Sequence, residues 1–342
     1  MCIRDRLDTD TLKKFDSSLM HEAYDKWPQL ARSAYESELT AVSFDNIDHI
    51  ILVGMGGSGA ICEVISAILS KTQIHTSVVK GYHLPNTADS KTLVIVVSVS
   101  GNTIETISVL ESALAKSCHI VSFSSGGKIQ QICEDKNLAH FIIPQVHSPR
   151  ASFPAFLYSI LNVLSGILPT SDSDVAESLD ALESLQKQIS TTNLTTTNPA
   201  LSIAEWISGI PMLYYPWGLE PAATRFKNSL QENAKTHVIS EDIVEATHNG
   251  IVAWEKPSSV VPIIIRGSDD YTKTKLLWDL LENYFKERNI DYRVINSVEG
   301  SILSKLVCLV YLCDYISIYK SVLSEIDPSP VLSIDYFKQN KN

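Results

Sequence analysis

Two stretches of the chain combine small residues and hydroxyl groups in a pattern that could bind an anion. They are residues 51–59 (ILVGMGGSG) and residues 94–103 (VIVVSVSGNT). Each is an apolar run that stops at small residues and then continues as a helical pattern, which predicts a buried parallel strand leading through a tight turn into a helix. Glycines there let the backbone approach a ligand, and the free N–H groups at the helix start attract negative charge. Together the two stretches predict a site for a phosphorylated small molecule.

A glycine-rich turn after a strand can also be a simple packing turn, and neither nucleotide fingerprint fits the first stretch. Gly54, Gly56 and Gly59 have the dinucleotide spacing, but the next strand, His75 to Lys80, carries no acidic residue. No Gly-Lys-Ser or Gly-Lys-Thr comes after the glycines, so a P-loop is excluded. The remaining interpretation is a sugar-phosphate site in which hydroxyl groups donate hydrogen bonds. The donors would be Ser58, Ser98, Ser100 and Thr103.

Bulk properties are typical of a globular enzyme. The 342 residues are long for one hydrophobic core and sufficient for two. The net charge of −11, with no compensating basic stripe, argues against a nucleic-acid partner. We expect no membrane span, because no uninterrupted apolar run reaches about 18 residues. Residues 1–6 show no apolar segment after their charges and match poorly with the helical pattern that begins after them, so we expect no signal peptide and a cytoplasmic protein.

The six cysteines are predicted to be reduced. They form no Cys-x-x-Cys motif and mostly lie in apolar surroundings. This distribution is typical of core cysteines in a reducing compartment. We therefore expect neither disulfides nor a metal site.

The pattern of strands and helices predicts an α/β protein made of two doubly wound parallel-sheet domains with flanking helices. Strands are expected near 49–53, 75–79, 92–97, 118–123 and 140–143, and again at 211–215, 261–266 and 292–295. Helices are expected near 59–70, 103–115, 127–134, 172–189, 222–235 and 301–319. The predicted divisions are a helical segment (1–40), a first domain with the phosphate site (41–169), a connecting helix and linker (170–200), a second domain (201–325) and a C-terminal tail with a helix (326–342).

These motifs resemble a known family. The strand–Gly-Gly-Ser-Gly–helix segment and residues 98–106 (SVSGNTIET) resemble the sugar isomerase (SIS) domain. From about residue 20 onward, the chain resembles the bifunctional phosphoglucose/phosphomannose isomerases. Supporting motifs are SSGG at 124–127, PRA at 149–151, QENAK at 231–235, EATHN at 245–249 and IDYFK at 334–338.

The resemblance implies reversible aldose–ketose isomerisation of hexose 6-phosphates by a homodimer, without a metal or an organic cofactor. The phosphate would be held by Gly57, Ser58, Ser98, Ser100 and Thr103. Glu232 would move a proton between C1 and C2, and Arg150 would face the enediolate. His248, reaching in from the partner subunit, and Lys338 would open the sugar ring.

The chemistry of these residue types agrees with those roles, although the residues alone leave alternatives. A carboxylate can abstract a proton next to a carbonyl, an arginine can stabilise the enediolate, and a histidine titrates nearest neutral pH. Arg150 could instead cap a helix or form a surface ion pair, and Lys338 could be an idle surface lysine. The competing glutamates are Glu220, Glu241 and Glu245, and His237 lies close to His248.

Two other functions compete with an isomerase. SIS domains also occur as sugar-phosphate sensors, but this chain shows no basic recognition helix for DNA, and a sensor has no use for Glu232, Arg150 and His248 together. An amino-sugar phosphate transferase or deaminase is the second competitor. Its amidotransferase form requires an N-terminal glutaminase domain, for which the chain has no room. The sequence therefore favours the isomerase.

Overall fold

The computed structural model describes residues 7–340, and this range divides into two compact units. The first, named here the N-terminal unit, comprises residues 26–180 and 300–304. The second, the C-terminal unit, comprises residues 7–25, 181–299 and 305–340. Residues 1–6, including Cys2, lie outside the described range. Each unit is built on its own parallel β-sheet.

Strands and helices alternate along both units. In chain order, the strands are β1 (His49–Val53), β2 (His75–Val79), β3 (Thr92–Ser98), β4 (His119–Ser124), β5 (Ala139–Ile142), β6 (Ile210–Tyr215), β7 (Ile239–Asp242), β8 (Val260–Arg266) and β9 (Arg293–Asn296). The helices are α1 (Thr9–Phe15), α2 (Met20–Asp25), α3 (Trp27–Tyr35), α4 (Gly56–Leu69), α5 (Ile104–Ala115), α6 (Gly127–Asp135), α7 (Phe153–Val163), α8 (Asp172–Ile189), α9 (Pro199–Trp206), α10 (Glu220–Asn233), α11 (Ile243–Ala246), α12 (Thr272–Glu287), α13 (Ile302–Leu323) and α14 (Leu332–Gln339).

The sheet of the N-terminal unit has the spatial order β2-β1-β3-β4-β5, with parallel pairing throughout. Every residue of β1 and β3 is buried, as expected for central strands that are covered on both faces. On one face, Ile51 and Val94 pack in an apolar cluster with Leu110 of α5 and Ile129 of α6. The chain runs from β1 outward to β2 and then crosses back to β3, so the direction of winding reverses between β1 and β3.

The sheet of the C-terminal unit has the order β7-β6-β8-β9 and is also parallel. Its winding reverses between β6 and β8. One side of this sheet is covered by α12, whose Trp278 and Phe285 pack with Tyr214 of β6 and Ile264 of β8. Both units therefore have the same architecture, and the predicted fold class of two doubly wound α/β domains is confirmed.

Helix α13 is the one helix within residues 7–340 that is long and apolar enough to cross a membrane by length and composition. Its sequence contains Lys305 and Asp314, so it has no uninterrupted apolar run and was not identified as a candidate membrane span from the sequence. In the structure 94% of its most apolar window is buried. A buried core helix meets the same criteria as a membrane span.

Five elements were not expected from the sequence: β7, α7, α9, α11 and α12. Strand β7 has only four residues and its sequence, ISED, carries no apolar run. Helix α12 has apolar residues on its exposed side as well, with Leu276 and Leu280 each more than half exposed, and this obscures the helical period. The expected strands otherwise match the observed ones to within about two residues.

Candidate functional site

The two glycine- and serine-rich stretches lie at neighbouring positions on one edge of the N-terminal sheet. Strands β1 and β3 are paired in parallel from His49↔Thr92 to Val53↔Val96, so their carboxyl ends meet at the same edge. This is the point at which the winding of the sheet reverses, and open α/β sheets bind ligands there. The predicted cradle for a phosphate therefore falls at the position that the topology favours.

The first turn of the cradle is formed by the start of α4. This helix begins at Gly56, three residues before the expected position, so Gly57 and Ser58 belong to its first turn. The expectation was wrong because Gly56, with φ +53°, adopts a backbone that ordinary helix signals do not anticipate. First-turn N–H groups have no partner within their own helix and point outward. Ser58 is buried, and its hydroxyl oxygen accepts a hydrogen bond from the Val99 N–H at 3.2 Å, so its own proton can be donated elsewhere.

The second turn connects β3 to α5, with Thr103 as the residue before the helix. The Ser98 hydroxyl donates to the Thr103 hydroxyl at 3.2 Å, which links the end of the strand to the helix start. The exposed Ser100 accepts from the Asn102 N–H at 3.3 Å. Ser98, Ser100 and Thr103 thus lie within one turn, as predicted.

A third turn packs against the second, backbone on backbone. Gly101 has φ +67°, and a Cβ atom there would lie only 1.7 Å from the carbonyl oxygen of Gly126. Asn102 joins the two turns, because its Oδ1 accepts from the Lys128 N–H at 3.0 Å and its Nδ2 donates to the Ser100 carbonyl at 3.0 Å. The sequence motif contains Asn102, but only the structure shows that it positions the Ser100 turn.

Arg150 also lies close to the cradle. A Cβ atom on Gly57 would lie 3.3 Å from the Pro149 carbonyl oxygen and 3.4 Å from the Arg150 Cα. A Cβ atom at these distances would be tight, so glycine favours this close approach between the first turn of α4 and the segment before α7. Arg150 is 6% exposed, and this burial argues against the alternative that it forms an ion pair at the surface.

Below the third turn, His140 on β5 connects two serines of β4. Its Nδ1 lies 2.7 Å from the Ser122 hydroxyl, and its Nε2 lies 3.3 Å from the Ser124 hydroxyl. Ser124 in turn donates to the Gly126 carbonyl at 2.8 Å. Burial lowers the pKa of His140, an effect that the nearby Glu134 opposes. The turn that supports Gly101 therefore rests on a half-buried, neutral imidazole.

The candidate base Glu232 lies in the last turn of α10, in the C-terminal unit, and is half-buried. The competing glutamates have different surroundings. Glu220 is in the first turn of α10, and Glu245 accepts from the Asn249 amide at 2.5 Å. The pKa of Glu241 on β7 is raised, because burial disfavours its charged form and Glu245 adds repulsion. Glu241 is therefore the competitor that must be tested beside Glu232.

The two candidate ring-opening residues are exposed in the C-terminal unit. His248 comes after α11, and its backbone N–H donates to the Glu245 carbonyl at 2.9 Å. Lys338 lies near the end of α14, a helix with no buried residue. Their side chains are thus accessible on the single chain.

The C-terminal unit has no comparable cradle after β8, because its own acidic side chains occupy that turn. Asp270 accepts from the Gly267 N–H at 3.1 Å and from the Trp278 indole at 2.9 Å. Asp269 lies 2.5 Å from the Lys305 ammonium. These carboxylates would repel a phosphate group, so the turn after β8 is a poorer candidate for an anion site than the turns after β1 and β3.

Within residues 7–340, no group of three or more His, Cys, Asp or Glu side chains is arranged to hold a metal ion. The described cysteines form no disulfide: Cys62, Cys133, Cys308 and Cys313 are buried, and Cys118 is half-buried. Burial raises the pKa of the Cys62 and Cys313 thiols, which suits inert core residues.

Comparison with known proteins agrees with this architecture. Residues 43–165 match the SIS domain model, and residues 196–340 match the bacterial phospho-glucose isomerase C-terminal SIS domain. A bifunctional phosphoglucose/phosphomannose isomerase of Caldicellulosiruptor bescii is 30% identical over 93% of this chain and 98% of its own length. The chain belongs to the bifunctional phosphoglucose/phosphomannose isomerase family.

Another member of this family, from Aquifex aeolicus, is 29% identical over 85% of this chain and 89% of its own length. Among solved structures, the C-terminal domain of glucosamine-fructose-6-phosphate aminotransferase from Francisella tularensis superposes with a TM-score of 0.68. It covers 90% of this chain and 96% of its own, at 14% identity. That likeness establishes the double SIS fold, and the sequence relatives establish the family.

Proposed function

We propose that this protein catalyses the reversible isomerisation of glucose 6-phosphate and mannose 6-phosphate to fructose 6-phosphate through a cis-enediolate. The observation that carries the proposal is the cradle between β1 and β3, in a chain that belongs to this isomerase family. First-turn N–H groups and hydroxyls, rather than lysines, would hold the phosphate. The binding residues are Gly57, Ser58, Ser98, Ser100 and Thr103.

The reaction needs only proton transfers. Glu232 takes a proton from C1 of the open-chain ketose and returns it to C2, while the proton of the O1 hydroxyl is transferred to O2, and this converts the ketone to an aldehyde without an external oxidant. Arg150 stabilises the negative oxygen of the enediolate, because a guanidinium keeps its own proton throughout. His248 and Lys338 exchange protons with the ring oxygen and the anomeric hydroxyl to open the ring. Protonation of C2 from either face would give either aldose.

We further propose that the working unit is a cytoplasmic homodimer that acts in glycolysis and gluconeogenesis. His248 is exposed on the single chain, which leaves it available to a partner subunit. The burial of α13 supports a soluble protein. We also propose that the two SIS domains comprise residues 41–169 and 201–325. A helical segment (1–40) would come before them, a connection (170–200) would join them, and a tail (326–342) would follow.

The test uses purified protein with fructose 6-phosphate in the presence of a chelator, with both aldoses quantified separately. We expect both products from the wild type. Glu232→Gln should lower kcat by at least about a hundredfold, because the amide cannot accept the proton. Glu241→Gln is the matched control and should retain most of the activity.

The other outcomes are equally informative. A larger loss in Glu241→Gln than in Glu232→Gln would move the base to β7. One aldose alone would restrict the enzyme to a single sugar. Tight binding of fructose 6-phosphate without turnover by the wild type would replace the isomerase with a sugar-phosphate sensor.

A further inference from the structure

Helix α10 ends one residue after Glu232, and the chain then turns at Lys235. Lys235 has φ +54°, a left-handed backbone that is unfavourable for residues with a Cβ atom. The helices α6 and α12 end with Asn137 and Asn289 in the same conformation, and asparagine tolerates it well. Ser117 after α5 and Glu325 after α13 share this conformation, so the backbone alone does not distinguish Lys235, and its side-chain contacts carry the argument.

The Lys235 ammonium bridges two backbone carbonyls. It donates to the carbonyl of Glu232 at 2.6 Å and to the carbonyl of Pro330 at 2.7 Å. The first is one of the carbonyls that a helix leaves without an intrahelical partner at its C-terminus. The second lies two residues before α14, the helix that carries Lys338. One side chain thus connects the backbone of the candidate base to the segment that leads to a candidate ring-opening residue.

The hydrogen bond between Lys235 and the Pro330 carbonyl contributes to the placement of the C-terminal segment, residues 327–340. The end of α10 is held independently, because the Asn233 amide donates to the Ser317 hydroxyl of α13 at 2.8 Å. Helix α14, in contrast, buries none of its residues, so its position depends on the segment before it. Asp327 in that segment accepts from the Ser17 hydroxyl at 2.7 Å, and Lys235 adds the connection to α10.

We propose that Lys235 is a positioning residue that holds the Lys338 segment in register with Glu232. The proposal rests on the catalytic roles proposed above for Glu232 and Lys338. Lys235 itself does not touch the substrate. It fixes the spacing between two groups that must act on the same sugar, and small displacements of such groups are costly for the rate.

Two substitutions distinguish the effect of the Lys235 ammonium from the effect of the left-handed backbone at this position. Lys235→Gly removes the side chain and suits the left-handed conformation, so its thermal midpoint should stay near that of the wild type. Lys235→Met keeps the length of the side chain without the donors. Both should lower kcat by about ten- to hundredfold with a smaller change in KM, because positioning affects the transition state more than binding. The exposed Lys273→Met is the control and should behave as wild type.

Hydrogen–deuterium exchange and a double variant give readouts besides activity. Lys235→Gly and Lys235→Met should speed amide exchange in residues 327–340, and Lys273→Met should not. In the presence of Lys338→Ala, the further loss caused by Lys235→Met should be much smaller than in the wild-type background, because both act through the same group.

Three results would overturn the proposal. If kcat is unchanged while exchange in the tail rises, the bridge exists but positions nothing that matters for the reaction. If kcat falls while exchange is unchanged, or if the losses are additive, Lys235 acts by another route. A wild type without isomerase activity would remove the proposed function itself, and the exchange measurement would still show whether the bridge forms.

Discussion

His140 shows how a single half-buried residue supports the candidate phosphate cradle. It lies beneath the third turn and contacts the hydroxyls of Ser122 and Ser124. Because its surroundings disfavour the imidazolium, the folded protein binds this proton less readily than the unfolded chain, where histidine titrates at about 6.5. The free energy of unfolding therefore depends on pH.

Above pH of about 6.5 His140 is neutral in both states and does not change the free energy of unfolding. As the pH falls through that value towards the lowered folded-state pKa, the unfolded chain gains the proton first, and the folded state loses stability. We expect the drop in urea midpoint between pH 7.5 and 5.5 to be smaller in His140→Gln than in the wild type. The exposed His83→Gln is the control and should keep the wild-type slope, and an unchanged slope in His140→Gln would contradict the prediction.

Helix α10 carries Glu232, and a buried carboxylate anchors it. Asp314 of α13 accepts from the Arg225 Nη2 at 2.6 Å, from the Ser229 hydroxyl at 2.5 Å and from the Tyr24 hydroxyl at 3.0 Å. Arg225 is 2% exposed and Asp314 is fully buried. A buried charge of this kind is stable only while its partner remains.

Replacing Asp314 with asparagine should therefore destabilise the C-terminal unit strongly. The change removes the negative charge that Asp314 places beside the buried Arg225 guanidinium, at a cost of about 3–5 kcal/mol in the free energy of unfolding. The control is Asp180→Asn, whose ion pair with Arg32 has a carboxylate that is 78% exposed and contributes at most about 1 kcal/mol. Chemical unfolding monitored by tryptophan fluorescence measures both, and equal effects would show that the Arg225 anchor is unimportant.

At the scale of the whole molecule, one fold occurs twice, and the glycine- and serine-rich turns of the candidate phosphate cradle occur in the N-terminal unit. The two sheets reverse their winding in the same way, between β1 and β3 and between β6 and β8. The turns after β1 and β3 carry glycine and serine, whereas the turn after β8 carries Asp269 and Asp270. Glu232, His248 and Lys338, the residues proposed as base and ring-opening groups, all belong to the C-terminal unit.

The proposed exchange of His248 between subunits predicts complementation. A dimer of one His248→Ala subunit and one Glu232→Gln subunit would contain one intact site and one doubly defective site. After the two inactive proteins are unfolded together and refolded at equal amounts, half of the dimers are mixed, so about a quarter of the wild-type activity should return. Recovery of no activity, with mixed dimers demonstrated by sedimentation and mass spectrometry, would place His248 in its own subunit's site.

Much of the fold could be predicted from local patterns. The apolar runs before Gly54 and Ser98 predicted the central strands, because a strand buried on both faces needs an uninterrupted apolar sequence. Short or irregular elements such as β7 and α12 could not be predicted, since four residues, or apolar residues on the exposed side, give no clear period. The start of α4 was misplaced because the left-handed Gly56 gives no ordinary helix-start signal.

The sequence by itself determined the fold class and the family, and it predicted the residue types of the candidate phosphate cradle, because these depend on residues close together along the chain. Only the tertiary structure showed that Gly101 leaves no space for a side chain, that Asn102 joins two turns and that Lys235 bridges Glu232 to Pro330. These contacts join residues up to 95 positions apart. They are tertiary contacts between packed elements, and no local pattern of hydrophobicity or turn propensity encodes them.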